Sequence, residues 1–242
     1  YYGLYFQDEY KVTSRLTLNL GVRWDYESPR TEARNQIANF DYTSAASLSN
    51  GTAVRGGLIF PGVGSLPRGY WNTNKKNFAP RLGFAYNLAD ATVIRGGYGI
   101  FYSNTWGNGR NNSTIPQTGF TCSTPVINSL DGGLTPFSYL SDPYPTGFCK
   151  ATGSSAGLLT NLGQNINMID RNLQMPYMQT WSFDIQRKLP ADTVFEIAYS
   201  GSRGVHLMGI VEYNQMAPEY MKLGTQLNGQ APNPYLGVIT TG

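Results

Sequence analysis

The run from Leu16 to Tyr26 puts Leu16, Leu18, Leu20, Val22, Trp24 and Tyr26 on one parity and Thr17, Asn19, Gly21, Arg23 and Asp25 on the other. Side chains with a period of two line one face of a strand. In a helix, steps of two residues advance about 200° and would scatter the same six around the circumference. The pattern therefore predicts a strand with one apolar face. At about 3.3 Å per residue it is about 36 Å long, and a tilt of about 45° projects this to roughly 25 Å, the height of an outer-membrane barrel's apolar band. Strands of soluble proteins are mostly about half as long.

The segment before it, Tyr1 to Val12, sets Tyr2, Leu4, Phe6, Tyr10 and Val12 against Gly3, Gln7, Glu9 and Lys11. Asp8 falls on the apolar parity; a bulge between Phe6 and Glu9, or a position close to the membrane interface, would each accommodate it. Both apolar sets are even-numbered, so paired residues must have an even sum, which the odd-length connection Thr13-Ser14-Arg15 supplies. This register sets Val12 opposite Leu16 and Phe6 opposite Val22.

A second hairpin sets Phe78, Pro80, Leu82, Phe84 and Tyr86 beside Ile94, Tyr98, Ile100 and Tyr102 across a turn near Ala89-Asp90-Ala91, with Arg81 and Arg95 on the other face. Gly96, Gly97 and Gly99 leave room on this sheet, as where another backbone approaches closely. A third hairpin is apolar on odd numbers: Tyr177, Trp181, Phe183 and Ile185, then Phe195, Ile197 and Tyr199, with its turn at Pro190-Ala191-Asp192. Its other face, including Thr180, Ser182, Asp184, Gln186, Glu196, Ser200 and Ser202, is polar enough to border water.

Between the hairpins lie connections of about residues 27–77 and 103–175, dense in Gly, Pro, Asn and Ser. Structureless loops beyond about 15 residues are uncommon in compact domains. Tight turns alternating with long loops match an outer-membrane barrel, whose short turns face the periplasm and whose long loops face outward. The fold class read from this is all-β, an antiparallel up-and-down transmembrane barrel segment of six strands in three hairpins. Farther on, Met216, Tyr220, Leu223 and Leu227, behind Pro218 and with Gly224 near a stop, predict a short amphipathic helix packed on a barrel mouth or within a loop.

Composition narrows the class. Of 242 residues, 40% are hydrophobic and only 14% are charged, with 17 Tyr and 28 Gly. Ordinary soluble domains carry about 25% charge. A net charge of +3, with no basic run longer than the pairs Lys75-Lys76 and Arg187-Lys188, gives no basis for a nucleic-acid partner. No run approaches the about 18 apolar residues of a membrane helix, as expected of a protein that crosses with strands. Tyr1 already stands in a strand-like pattern and no terminal aromatic strand follows, so the reading is of an excerpt, residues 1–242 of a partial barrel domain.

Candidate chemistry is sparse. Cys122 and Cys149 lie in one long loop; bonded, they would contribute roughly 3–4 kcal/mol through loop closure, with two free thiols as the alternative. Neither has a nearby His to complete a metal site. His206 is the single histidine and has no nucleophile elbow around it, so it is read as a strand-end or loop residue. Asp184 and Glu196, on adjacent strands, are read as lumen decoration before a glycosidase pair. Gly62-Val63-Gly64 and Gly107-Asn108-Gly109 lack the strand-to-helix setting of a phosphate loop. No catalytic residue, metal or cofactor is expected. Arg23, Asp25, Arg81, Arg95, Asp184 and Glu196 are the candidate lumen-facing residues, with Glu9 beside them. Leu18, Leu20, Val22, Phe84, Tyr98, Phe183 and Ile197 are expected to face lipid, and Trp24, Tyr26, Tyr102, Trp181 and Tyr199 to sit as interfacial aromatics.

Several stretches together resemble Oar-like TonB-dependent receptors of the Gram-negative outer membrane: Tyr5-Phe6-Gln7-Asp8-Glu9-Tyr10-Lys11-Val12-Thr13, Arg15 through Tyr26, Phe78 through Tyr86, Arg95 through Tyr102, and Tyr199 through Gly204, with Asn214-Gln215 and Pro232-Asn233-Pro234 beyond. The resemblance spans nearly the whole chain apart from the long loops. It implies a 22-stranded barrel filled by an N-terminal plug and energised through an inner-membrane TonB complex. Plug and TonB-contacting segment are expected to be partners outside this chain, with lipid around the wall and an extracellular ligand at the loops. The resemblance carries over no transport residue. The competing reading is a secreted or cell-surface β-sandwich that binds carbohydrate through its aromatics, which requires a second sheet over the apolar faces.

Overall fold

The computed structural model describes residues 1–104, 116–230, 232 and 235–239. Eight strands form: β1 (Tyr2–Lys11), β2 (Leu16–Tyr26), β3 (Asn39–Ser47), β4 (Ala53–Ile59), β5 (Phe78–Ala89), β6 (Thr92–Tyr102), β7 (Tyr177–Lys188) and β8 (Val194–Val205). Six make one antiparallel sheet in the order β1-β2-β5-β6-β7-β8, and β3 and β4 pair separately. The fold is all-β, and no described helix is long and apolar enough to cross a membrane.

The first hairpin takes the register its parity demands, with Phe6 opposite Val22 and no shift along its length, so no bulge re-aims Asp8, which stands opposite Leu20. The Thr13 hydroxyl accepts from the Leu16 N–H at 3.0 Å and closes the turn. β2 and β5 pair Leu18 with Phe84 and Leu20 with Leu82, which keeps even residues together. Across the second long connection β6 and β7 pair Tyr98 with Trp181 and Ile94 with Ile185, an odd sum that joins the even face of one hairpin to the odd face of the next. A one-residue slip would have put polar side chains into the row. One apolar face therefore runs through all six strands. Ala191 and Asp192 both take positive φ, 61° and 52°, as hairpin turns of the primed kind require.

Among the described residues of its own unit, nothing forms a layer over that face. Leu4 is 68% exposed, Phe6 70%, Ile197 59% and Tyr199 64%, and the only buried apolar side chains among the described residues of this unit are Ala79 and Met175. A sandwich would bury these faces between two sheets. The connections at residues 27–77 and 103–175 leave from the ends of β2 and β6 and return at the starts of β5 and β7, all on one end of the sheet.

Three expectations need correction. The long connections are not structureless: residues 30–71, with much of the second connection, form a compact unit of their own. Ala38, Leu58 and Phe60 make its buried core, with Phe40, Phe120 and Ile166 packed on it. Secondly, Gly96 and Gly99, and Gly201 on β8, do not mark an approaching backbone, whereas Gly97 has the Leu82 carbonyl and the Ser182 hydroxyl as its nearest neighbours. Aromatic rings lie over the first three: a Cβ on Gly96 would fall 2.5 Å from the Phe84 ring, on Gly99 2.7 Å from Phe101, and on Gly201 2.6 Å from the Trp181 indole. Each ring covers backbone that glycine would leave bare. Gly201→Val displaces the indole and lowers stability by about 1–2 kcal/mol, read as the shift of a denaturant midpoint in detergent. Thirdly, the residues around Pro218–Asn228 wind as 3₁₀ turns interrupted at Gly224, whose φ is 54°, and none of them is buried. Without a partner for its apolar stripe, a short segment gains nothing from continuing as an α-helix.

Within the unit of long connections, β3 and β4 shift register between Asp41 and Ala45. Asp41 holds this irregularity, accepting from the Thr43 N–H at 2.8 Å, the Thr43 hydroxyl and the Ser44 hydroxyl at 2.6 Å. The Ser44 hydroxyl, then the Thr43 hydroxyl and N–H, pull its pKa down to about 2. A carboxyl with a depressed folded-state pKa contributes stability above its unfolded value, about 3.9, and loses it as pH falls through the folded one. Protection factors of the amides in residues 39–59, which are corrected for the intrinsic pH dependence of exchange, are expected to hold down to about pH 4 and to fall between about pH 4 and 2. Asp41→Asn should flatten that dependence.

Candidate functional site

The polar face of the six-stranded sheet carries the candidate lumen residues. Arg23 donates from Nε to the Asp25 carboxylate at 2.8 Å, and the Tyr1 hydroxyl donates to the same oxygen. Asp25 is 2% exposed because Asn77 closes over the end of β2: the Asp25 N–H donates to the Asn77 carbonyl at 2.9 Å, and the Asn77 amide donates to the Asp25 carbonyl at 3.1 Å. Arg81 takes a different partner, its guanidinium lying 4.8 Å from the centre of the Phe101 ring. Arg95 stands opposite Asp184, and Glu196 opposite Gln186. Among the described residues none of Arg81, Arg95, Asp184 and Glu196 joins an ion pair, and one Asp184 oxygen is buried without a hydrogen-bond partner. Small residues separate these charges, with Asn19, Gly83, Gly97, Ser182 and Ser200 following one another across five strands.

The candidate lipid-facing and interfacial residues share the other face. Their aromatics concentrate at the end bearing the long connections. Trp24 stacks on Tyr26 with centroids 5.8 Å apart and planes 3° from parallel, and Tyr2 stacks on Tyr26 at 6.0 Å. The Trp24 indole N–H donates to the Lys75 carbonyl at 2.7 Å. Tyr102 and Tyr177 oppose each other with rings 5.2 Å apart. Tyr199 stands in the middle of β8 opposite Phe183, well away from this end.

A pocket of about 540 Å³ opens beside Tyr102 and Tyr177. His206, which follows β8 with a φ of 54°, adds its ring edge-on to Tyr177 at 5.7 Å. The facing wall comes from the segments leading into β5 and β7, with Asn72, Asn74, Lys76 and Gln174 among its residues. These segments are tied together: the Asn72 amide donates to the Asn172 side chain at 2.9 Å, and the buried Asn77 amide reaches the Asn74 carbonyl and the Met175 sulfur, each at 3.2 Å. The sequence reading missed this group. Its signal was the density of carboxamides just ahead of two strand starts, at Asn72, Asn74, Asn77, Asn172 and Gln174.

Cys122 and Cys149 form a disulfide, with Cα atoms 6.0 Å apart. Asp131, within the loop they close, accepts from the Ser129 hydroxyl at 2.6 Å and the Leu134 and Thr135 N–H groups, and these bonds hold its pKa well below the ordinary range. No group of three or more His, Cys, Asp or Glu among the described residues forms a metal cluster. The Gly107-Asn108-Gly109 stretch, and Asn233-Pro234 of the last resemblance motif, lie outside the described residues.

A two-faced sheet of long strands with tight turns at one end defines a membrane-barrel wall. A family model described as an outer membrane beta barrel domain matches residues 1–242, and the chain belongs to that family. Its place is the bacterial outer membrane. Neither a curated protein nor a solved structure matches the chain.

Proposed function

We propose that this chain is part of an Oar-like, TonB-dependent receptor barrel that gathers a large ligand outside the cell and passes it inward without chemistry of its own. The observation that carries this reading is the asymmetry of the sheet. Its hairpin turns are tight at one end, while both long connections leave from the other and fold into a unit with its own buried core. Outer-membrane barrels put such turns in the periplasm and such loops outside. In this reading Leu18, Leu20, Phe84 and Ile197 meet hydrocarbon. Arg23, Asp25, Arg81, Arg95, Asp184 and Glu196 border the lumen, where a plug domain would rest against the small residues between them. The motifs that resemble the TonB-dependent family are the support for energised uptake.

The test uses the natural gene expressed in an outer membrane. Leu140→Cys, at a fully exposed position in the disulfide-closed loop, should react with a membrane-impermeant maleimide on intact cells, whereas Asp90→Cys should react only after the membrane is opened. The protein should also be retained by the immobilised periplasmic domain of TonB. Labelling of Asp90→Cys on intact cells would overturn the orientation, and failure of retention would overturn the TonB assignment.

A further inference from the structure

We infer that the pocket beside Tyr102 and Tyr177 holds the phosphorylated sugar headgroup of an outer-leaflet glycolipid. The inference rests on the proposed orientation, with the apolar face toward lipid and the long connections outside.

Position is the first argument. Tyr102 and Tyr177 project from the same face as Trp24, Tyr98 and Trp181, at the end where the aromatics gather. On a barrel wall that level is the border between hydrocarbon and headgroups on the outer side, where the outer leaflet presents sugars and phosphates. A ligand on its way through the lumen would meet the opposite face.

Chemistry is the second. The tilted Tyr102 and Tyr177 rings give an apolar surface for the carbon face of a sugar ring. Asn72, Asn74 and Gln174 face it with carboxamides, each a donor and an acceptor on one group, which suits neighbouring hydroxyls. No Asp or Glu lines the pocket, whereas Lys76 brings a positive charge, so an anionic substituent is favoured over a cationic one. The volume of about 540 Å³ lies within the range of small-molecule sites. The third argument is that the walls stand ready. Asn77 and the Asn72–Asn172 bond hold the two leading segments in place, while the Lys76 ammonium and the Gln174 side chain enter no hydrogen bond or ion pair among the described residues.

The experiment uses the protein made from its natural gene, purified in detergent, with a diphosphorylated, acylated glucosamine disaccharide as the probe and native mass spectrometry as the readout. Wild type is expected to retain one probe molecule, and Lys76→Ala with Gln174→Ala to bind about tenfold more weakly or worse, the scale of losing a charge-assisted hydrogen bond. Both side chains are exposed, and heat-modifiable gel mobility reports that the barrel is intact; Lys76→Glu alone serves as the second variant and should weaken binding at least as much. Equal binding by wild type and variants would overturn the inference. Equally tight binding of the deacylated disaccharide would assign the site to a soluble sugar phosphate and overturn the membrane source, and equal competition by phosphatidylglycerol would overturn the sugar. Lipid accessibility of Leu20 is measured on the same preparation. A lipid-exposed Leu20 with no selective glycolipid binding removes only this inference, whereas a Leu20 shielded from lipid removes the proposed orientation beneath it.

Discussion

Leu20→Arg is expected to destabilise the barrel by about 2–4 kcal/mol, while Asn19→Arg, one residue earlier, changes its stability by less than about 1 kcal/mol. Leu20 stands near the middle of β2, between Asp8 and Leu82, and is 43% exposed with nothing stacked on it. If hydrocarbon covers it, a guanidinium there must be stripped of water or must draw water and headgroups inward. For lipid-facing Arg near the bilayer midplane this costs about 2–4 kcal/mol, falling toward zero near the interfaces. Asn19 points to the other face beside Glu9 and Gly83, where water reaches and there is room for a longer side chain. Denaturant titration of both variants in phospholipid vesicles, followed by Trp fluorescence, gives the comparison. Equal losses at the two positions would mean that the faces do not differ in solvent.

Asn39→Ala carries the second large effect, about 3 kcal/mol against the unit built from the long connections. Asn39 is fully buried. Its amide donates to the Ile169 carbonyl at 2.9 Å, and its side-chain oxygen accepts from the Ile169 N–H at 3.1 Å and the Phe40 N–H at 2.9 Å. One side chain thus plays the part of a strand neighbour for a residue 130 positions away. Truncation leaves three part-buried backbone groups without this partner, each costing up to about 1–3 kcal/mol before the structure relaxes and water reaches them. The Tyr70 hydroxyl, donating to the Ala38 carbonyl at 2.8 Å, and the Ala38 N–H, donating to the Pro116 carbonyl at 2.8 Å, act on the same short stretch and moderate the loss. Amide exchange at Phe40 and Ile169 should rise by about two orders of magnitude in Asn39→Ala, while exchange in β5 to β8 stays unchanged. Unchanged protection at Ile169 would show that the two connections hold together without this clip.

The six wall strands were legible because alternation is a local signal. Leu16 through Tyr26 declares its two faces without reference to any other part of the chain, and parity with a three-residue turn fixes Phe6 against Val22. The odd-sum pairing of Tyr98 with Trp181 was implied by the change of parity between the second and third hairpins, but its register was not, because a connection of some seventy residues carries no geometric constraint. The β3–β4 hairpin escaped notice for a related reason. Phe40, Leu58 and Phe60 are few, and they become a core only with Phe120 and Ile166 from the other connection. Glycine misled in the opposite way: Gly96 and Gly99 signal room on the sheet, and only the structure shows Phe84 and Phe101 occupying it. The stripe of Met216, Tyr220, Leu223 and Leu227 met the pattern of a helix, yet Gly224 breaks the winding and none of the four is buried.

The measurement that bears most directly on a wall with lipid on one side and water on the other is nitroxide accessibility in bilayers. Single labels go at Leu18, Phe84 and Ile197 on one face and at Asn19, Ser182 and Ser200 on the other, each read against oxygen, which partitions into hydrocarbon, and a water-soluble nickel chelate. High oxygen and low nickel accessibility at the first three, with the reverse at the last three, is the predicted result. Nickel access at Leu18, Phe84 and Ile197 equal to that at Asn19, Ser182 and Ser200 would contradict it.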